Sequence, residues 1–317
     1  MSCCETIFDV SPDATLREVS KEMKRLFLII ATTLLAWPAS AEDVNKTLDA
    51  DPNGHVEIFN TAGSVTVEGW SRKSVEVTGT LGNEVKDFIF ERDGDEITIK
   101  VKAKSNHHSG GRGYVSEIVV RVPANSSIEI AAISADIEVK DVHGEIEAHA
   151  ISGDVELETY SAEVTVEAVS GDIDVQGDGK DAVTELTSVS GDVTAENLAG
   201  EVELGSVSGD VVLSGGSVQE SGIETVNGDI VFQATLSKGG ELHIESVNGR
   251  VDVDFIGDVS AEFEIETFNG RIRNCFGPKP ERVSKYAPGY ELSFTEGKGD
   301  GSVSIETLNG NLNLCKK

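Results

Sequence analysis

From residue 127 to residue 171 the apolar and polar positions obey one nine-residue formula, five times in succession: SIEIAAISA, DIEVKDVHG, EIEAHAISG, DVELETYSA, EVTVEAVSG. Each block opens on an acidic or polar residue, alternates β-branched with polar positions, and closes on a small turn pair. Alternation at period two is the pattern of a half-buried strand. Strands this short build no core alone, and a fixed period marks units that bury their apolar faces only against their neighbours.

The turn recurs well beyond that block. It reads Ser152-Gly153-Asp154, Ser170-Gly171-Asp172, Ser190-Gly191-Asp192 and Ser208-Gly209-Asp210, then Asn227-Gly228-Asp229, Asn248-Gly249-Arg250, Asn269-Gly270-Arg271 and Asn309-Gly310-Asn311. Successive glycines lie 18, 20, 18, 19, 21, 21 and 40 residues apart, with weaker turns such as His143-Gly144 between them. The coil is therefore about 18–21 residues, two strands and two corners. Gly turns the chain without strain, and Ser or Asn beside it bonds local backbone. Stacking would set these Ser and Asn side chains in a ladder. A meander of Asn-Gly hairpins is the competing arrangement, but it gives no reason for an 18-residue recurrence. The expected fold is all-β, a single-stranded parallel solenoid.

Residues 42–126 have the same texture with less regularity and are expected to form irregular β coils. Residues 96–102 and 116–122 alternate cleanly, around the polar, glycine-rich stretch 105–113 that carries His107 and His108. Residues 127–274 form the regular solenoid. Residues 275–317 are expected to be a cap followed by the last coil: the stretch 275–301 leaves the repeat and contains Pro278, Pro280 and Pro288, and 302–314 returns to it. Residues 42–317 thus read as one continuous domain.

The start of the chain reads differently. Met23-Lys24-Arg25 leads into an apolar run from Leu26 to Trp37 and then Pro38-Ala39-Ser40-Ala41. A basic start, a short apolar core and an Ala-x-Ala ending make 23–41 a secretory signal peptide cleaved between Ala41 and Glu42. Residues 1–22 read as an upstream extension. The mature chain then has no membrane span and belongs in the periplasm, at the cell surface or outside the cell.

Charge agrees with these assignments and narrows the partners. The 26 Lys and Arg against 56 Asp and Glu give −30 overall, and −29 once residues 1–41 are removed. Nucleic acid is excluded as a partner by repulsion; an envelope glycan or a protein remains. The mature chain keeps two of the four cysteines, Cys275 and Cys315, and an oxidising compartment pairs them as a disulfide.

Candidate chemistry is thin. Asp154, Asp172, Asp192, Asp210 and Asp229 share one coil position and stack in a column, where neighbouring carboxylates would recruit calcium or simply serve the corner. The corner role is the stronger reading, because the glycine-dense calcium turn is missing and the column ends in Arg250 and Arg271. Asp252, Asp254, Arg250, Arg271 and Arg273 would compose the patch of a polysaccharide-acting enzyme, but Trp70 is the only mature Trp to face a sugar. His55, His143, His149 and His243 lack ligand spacing, and paired His107 and His108 lack further ligands.

The stretch Gly63 to Trp70, Val122-Pro123, the Val-Ser-Gly-Asp repeats, Thr267-Phe268-Asn269-Gly270 and Asn274-Cys275-Phe276-Gly277 resemble a bacterial β-strand-repeat family called "putative adhesin", domain of unknown function 4097. The resemblance covers nearly all of the mature chain. It implies a right-handed, single-stranded β-helix or roll, and it brings no catalytic residue. The expected protein is an exported, non-enzymatic envelope solenoid with a binding, adhesin-like or scaffolding surface and no cofactor. The alternatives are a polysaccharide-acting enzyme and a calcium-binding module.

Overall fold

The computed structural model describes residues 42–103, 115–284 and 288–317, and these are all-β, with no helix among them. The expected signal peptide and upstream extension, and the pair His107 and His108, lie outside the described residues.

The chain enters through β1 (Glu42–Asp49), β2 (His55–Trp70), β3 (Ser74–Leu81), β4 (Val85–Asp93), β5 (Glu96–Ala103) and β6 (Ser116–Pro123). The body follows as β7 (Ser127–Val142), β8 (Ile146–Ser152), β9 (Val155–Thr159), β10 (Glu163–Ser170), β11 (Ile173–Gln176), β12 (Asp181–Ser190), β13 (Val193–Glu196), β14 (Ala199–Ser208), β15 (Val211–Asn227), β16 (Ile230–Asn248) and β17 (Val251–Phe255). The C-terminal part is β18 (Ala261–Asn269), β19 (Ile272–Asn274), β20 (Glu281–Arg282), β21 (Tyr290–Glu296), β22 (Gly301–Asn309) and β23 (Leu312–Lys316).

In the body each coil lays one strand on a first wall, turns the Ser-Gly-Asp corner and lays another on a second wall. All pairings there are parallel and, apart from local shifts between β7 and β9, β14 and β15, and β15 and β16, keep the repeat register: Ile128 faces Ile146, Ile146 faces Val164, and on the other wall Val155 faces Ile173. Inward residues of both walls join one buried cluster, with Ile146, Val166, Val193 and Ile230 fully enclosed. Burying each such side chain contributes about 1.5–3 kcal/mol, so the alternating acids outside and aliphatics inside are enough to hold the coils.

The glycine at each corner is required by the approach of the next coil. A Cβ on Gly209 would lie 2.0 Å from the carbonyl oxygen of Gly191, and one on Gly191 equally close to that of Gly171. Beside it, Ser206 Oγ donates to the Gly191 carbonyl at 3.0 Å. The asparagine part of the column forms the expected ladder: Asn248 donates to Asn227 at 3.0 Å, Asn309 to Asn248 at 3.0 Å and Asn269 to Asn309 at 2.9 Å.

That ladder corrects the expected order of coils. Residues 301–316 come last in the chain but not in the stack: β22 pairs with β16 on one side and β18 on the other, and β23 likewise sits between β17 and β19. At the opposite end β2 lies between β7 and the pair β5 and β6. The sheet is also mixed. Antiparallel strands close both ends, β4 on β5, β3 on β6 and β1 on β3 at one, β21 on β18 and β20 on β21 at the other. A parallel stack leaves a long unpaired edge at each end, and short charged antiparallel strands cover it.

The C-terminal closure has two further fastenings. Cys275 and Cys315 form the expected disulfide, Cα atoms 4.9 Å apart, joining the residue after β19 to the neighbouring strand β23. Phe232, Phe255, Phe263, Phe276 and Phe294 pack together there, Phe263 stacked on Phe294 with centroids 4.5 Å apart.

Candidate functional site

Within a unit such as Glu163-Val-Thr-Val-Glu-Ala-Val-Ser170, alternation sends Val164, Val166 and Ala168 inward. Val169 is apolar but off phase, so it must face out, and it is about half exposed. The same holds one residue before every Ser-Gly or Asn-Gly corner. In stack order the residues are Ile151, Val169, Val189, Val207, Val226, Val247, Leu308 and Phe268, each 37–53% exposed. At about 4.8 Å per coil this apolar ladder runs roughly 34 Å along the stack axis. A strand does not need it, since Thr keeps the β-branched shape with a polar surface.

The ladder lines a groove of about 960 Å³. Two residues earlier in each coil, on the same outward face, stand His149, Glu167, Thr187, Gly205, Glu224, Glu245, Glu306 and Glu266. His149 is held there by Glu147 at 2.8 Å and Glu167 at 3.2 Å. Val283, Pro288 and Gly289 border the end near Leu308 and Phe268. A contiguous apolar strip on an otherwise acidic face is the kind of surface that binding sites use.

Beyond Gly205 the acidic face is crowded. The Glu203 carboxylate occupies the space that a side chain at Gly222 would take, 2.0 Å from an ideal Cβ there. Burial holds the Glu203 carboxyl above the usual carboxylate range, and the charges of Glu220, Glu201, Glu224 and Glu185 push it the same way.

Three residues after each rung, across the corner, lies the aspartate column. Asp154, Asp172, Asp192, Asp210 and Asp229 stack as the sequence spacing requires, and each places Oδ1 on the backbone N–H of the next coil. Asp172 accepts from Asp192 at 2.9 Å, Asp192 from Asp210 at 2.8 Å, Asp210 from Asp229 at 2.7 Å and Asp229 from Arg250 at 2.7 Å. This is corner chemistry: the carboxylate satisfies a donor that a parallel ladder leaves free. Among the described residues no three His, Cys, Asp or Glu converge as a metal site would require.

The Arg and Asp residues of the sequence patch lie along the second wall, but the coil of β23 separates Arg250, Asp252 and Asp254 from Arg271 and Arg273. Arg250 lies 3.5 Å from Asp229 and 3.7 Å from Asp252, while Lys317 pairs with Asp254 at 2.8 Å. Arg273 shares an outward row with Asn313 and Asp252. Arg250 with Asp229 and Asp252, and Lys317 with Asp254, are thus ion-paired on an open wall. The histidines are dispersed: His55 bonds Ser127 at 3.1 Å, His143 packs on Tyr160, and His243 pairs with Glu245 at 2.9 Å. Trp70 donates to the Ser74 carbonyl at 2.8 Å, with Arg72 over its ring.

The family model of Toastrack DUF4097 matches residues 54–315, and the chain belongs to that family. The chain is similar to the crystal structure of a "putative adhesin" from Parabacteroides distasonis, with 12% identity over 88% of this chain and 98% of that one and a TM-score of 0.41. A "putative cell adhesion protein" from Clostridium sporogenes gives 12% identity over 87% and 100%, with a TM-score of 0.24. A "putative lipid binding protein" from Parabacteroides distasonis gives 13% over 86% and 97%, with a TM-score of 0.34. No curated protein matches the chain.

Proposed function

We propose that this Toastrack protein is an exported, non-enzymatic binding module of the cell envelope, whose working surface is the apolar ladder and its groove. The observation that carries the reading is the phase break. Eight successive coils place an aliphatic or aromatic side chain outward at one position, where neither the strand nor the corner requires it. The exported state, whether in the periplasm or at the surface, rests on the signal-like segment 23–41 and the Cys275–Cys315 disulfide. The coil hand belongs to the same proposal and is right-handed, the sense that parallel crossovers take.

The test is a titration of the purified protein with Nile red, a neutral dye that brightens in apolar surroundings. The protein should enhance its emission, and Val207→Asp with Val226→Asp should remove most of that signal. The melting temperature should stay within about 2 °C, because both side chains are surface positions. Enhancement that survives the double substitution would place apolar binding elsewhere and end this reading.

A further inference from the structure

We infer that the occupant of the ladder is a basic amphipathic α-helix of a partner protein, lying along the stack axis with its apolar stripe on the rungs. The inference rests on the reading of the groove as a binding surface and adds the chemistry of what binds.

Three observations select this occupant. The first is the axis of the groove. Its rungs follow one another at about 4.8 Å, whereas side chains on one face of an extended peptide recur at about 6.7 Å. A helix presents its stripe at steps of about 4.5 Å and 6.0 Å, for i+3 and i+4, the closer match. About 22 helical residues would span the eight rungs.

The second is the state of the backbone. Strands β8, β10, β12, β14, β15, β16, β22 and β18 are each paired on both sides. The groove therefore offers no free strand edge, and a partner cannot bind by adding a strand. It must bind through side chains.

The third is charge. The ladder is one residue wide; Glu167, Glu224, Glu245, Glu266 and Glu306 line its groove on one side, and on the other side, beyond the Ser-Gly corner, the exposed column of Asp172, Asp192 and Asp210 follows. Each aspartate commits Oδ1 to the fold, as Asp192 does toward Asp210. A helix with a narrow apolar stripe flanked by Lys or Arg has the complementary cross-section. Anionic lipid would be repelled by both rows, and a neutral alkyl chain would leave them unused.

The experiment is displacement of Nile red from the protein by synthetic 22-residue peptides. One carries a Leu stripe at helical spacing flanked by Lys. A second has the same composition scrambled, and a third replaces Lys by Glu. Vesicles of phosphatidylcholine, alone or with phosphatidylglycerol, complete the set. The Lys peptide should displace the dye, gain helical circular dichroism on binding, and weaken at least tenfold between 50 and 500 mM salt. Glu167→Gln with Glu224→Gln and Glu245→Gln should weaken the peptide several-fold at 50 mM salt and flatten its salt dependence. Dye binding that depends on Val207 and Val226 but resists the Lys peptide would overturn the helix and spare the groove. Equal displacement by the scrambled or Glu peptide, or stronger capture by either vesicle, would also overturn it. Dye binding indifferent to the ladder substitutions would instead bring down the reading on which the inference rests.

Discussion

Two columns run along the same corner of this solenoid, three residues apart in each coil, and they differ in whether the fold uses them up. In the aspartate column every Oδ1 accepts a backbone N–H from the next coil, as between Asp192 and Asp210. In the apolar column, Val189 and Val207 remain about half exposed and contribute nothing the corner needs. Equal periodicity therefore carries different information. A repeated residue whose bonds are satisfied within the stack explains the stack, and one left facing solvent asks for an explanation outside it.

The strongest way to disturb both columns together is at their C-terminal end. Replacing Cys275 and Cys315 by Ser releases the link that holds β23 beside β19. Closing a loop of 40 residues stabilises by roughly 3–4 kcal/mol in the chain-entropy model. Denaturant unfolding of the double variant should show a loss of that size. Gly209→Ala attacks the corner between the columns, where the new Cβ meets the Gly191 carbonyl at 2.0 Å. A loss of about 3 kcal/mol is expected in the same assay, and a loss below about 1 kcal/mol would show that the coils can part at the corner.

Smaller changes separate the columns. Asp192→Ala removes the acceptor of the Asp210 N–H and should cost about 1 kcal/mol, with Nile red binding retained. Glu203 sharpens the acidic side of the groove. Its carboxyl is held up first by burial and then by neighbouring glutamates, so the folded state takes up its proton more readily than the unfolded chain. Its contribution to stability is thus fully present below the unfolded pKa and is lost as pH rises through the folded one. Glu203→Gln should raise the melting temperature at neutral pH and give no gain below about pH 4; a loss at neutral pH would contradict the crowding.

The coil was legible in the sequence because its causes are local. The period, the inward Val and Ile, the corner glycines and the turn role of the aspartates each follow from residues within one unit. The Cys275–Cys315 tie was legible too, but the order of the coils at the ends was not. Gly310 lies 40 residues after Gly270, which reads as a cap and then the last coil of the stack, yet it stacks between Gly249 and Gly270. A Cβ on Gly310 would meet the Gly249 carbonyl at 1.8 Å, and one on Gly270 would meet that of Gly310 at 1.7 Å. Nothing within 301–316 records which neighbours it will have, because every coil presents the same face. The antiparallel strands at the ends answer the same long-range need to cover an edge. The ladder had a local signal that the repeat formula concealed: Ala168-Val169 places two apolar residues side by side in a period-two strand, and one of them has to point outward.

The most direct test measures both columns in one protein, using melting temperature and Nile red affinity for Val189→Asp with Val207→Asp and for Asp172→Ala with Asp192→Ala. The account predicts opposite outcomes: the valine variant melts like the parent and loses the dye, while the aspartate variant melts several degrees lower and keeps it. If the valine variant unfolds while retaining dye affinity, or the aspartate variant loses the dye at unchanged stability, the division between a column spent on the fold and one left for a partner is wrong.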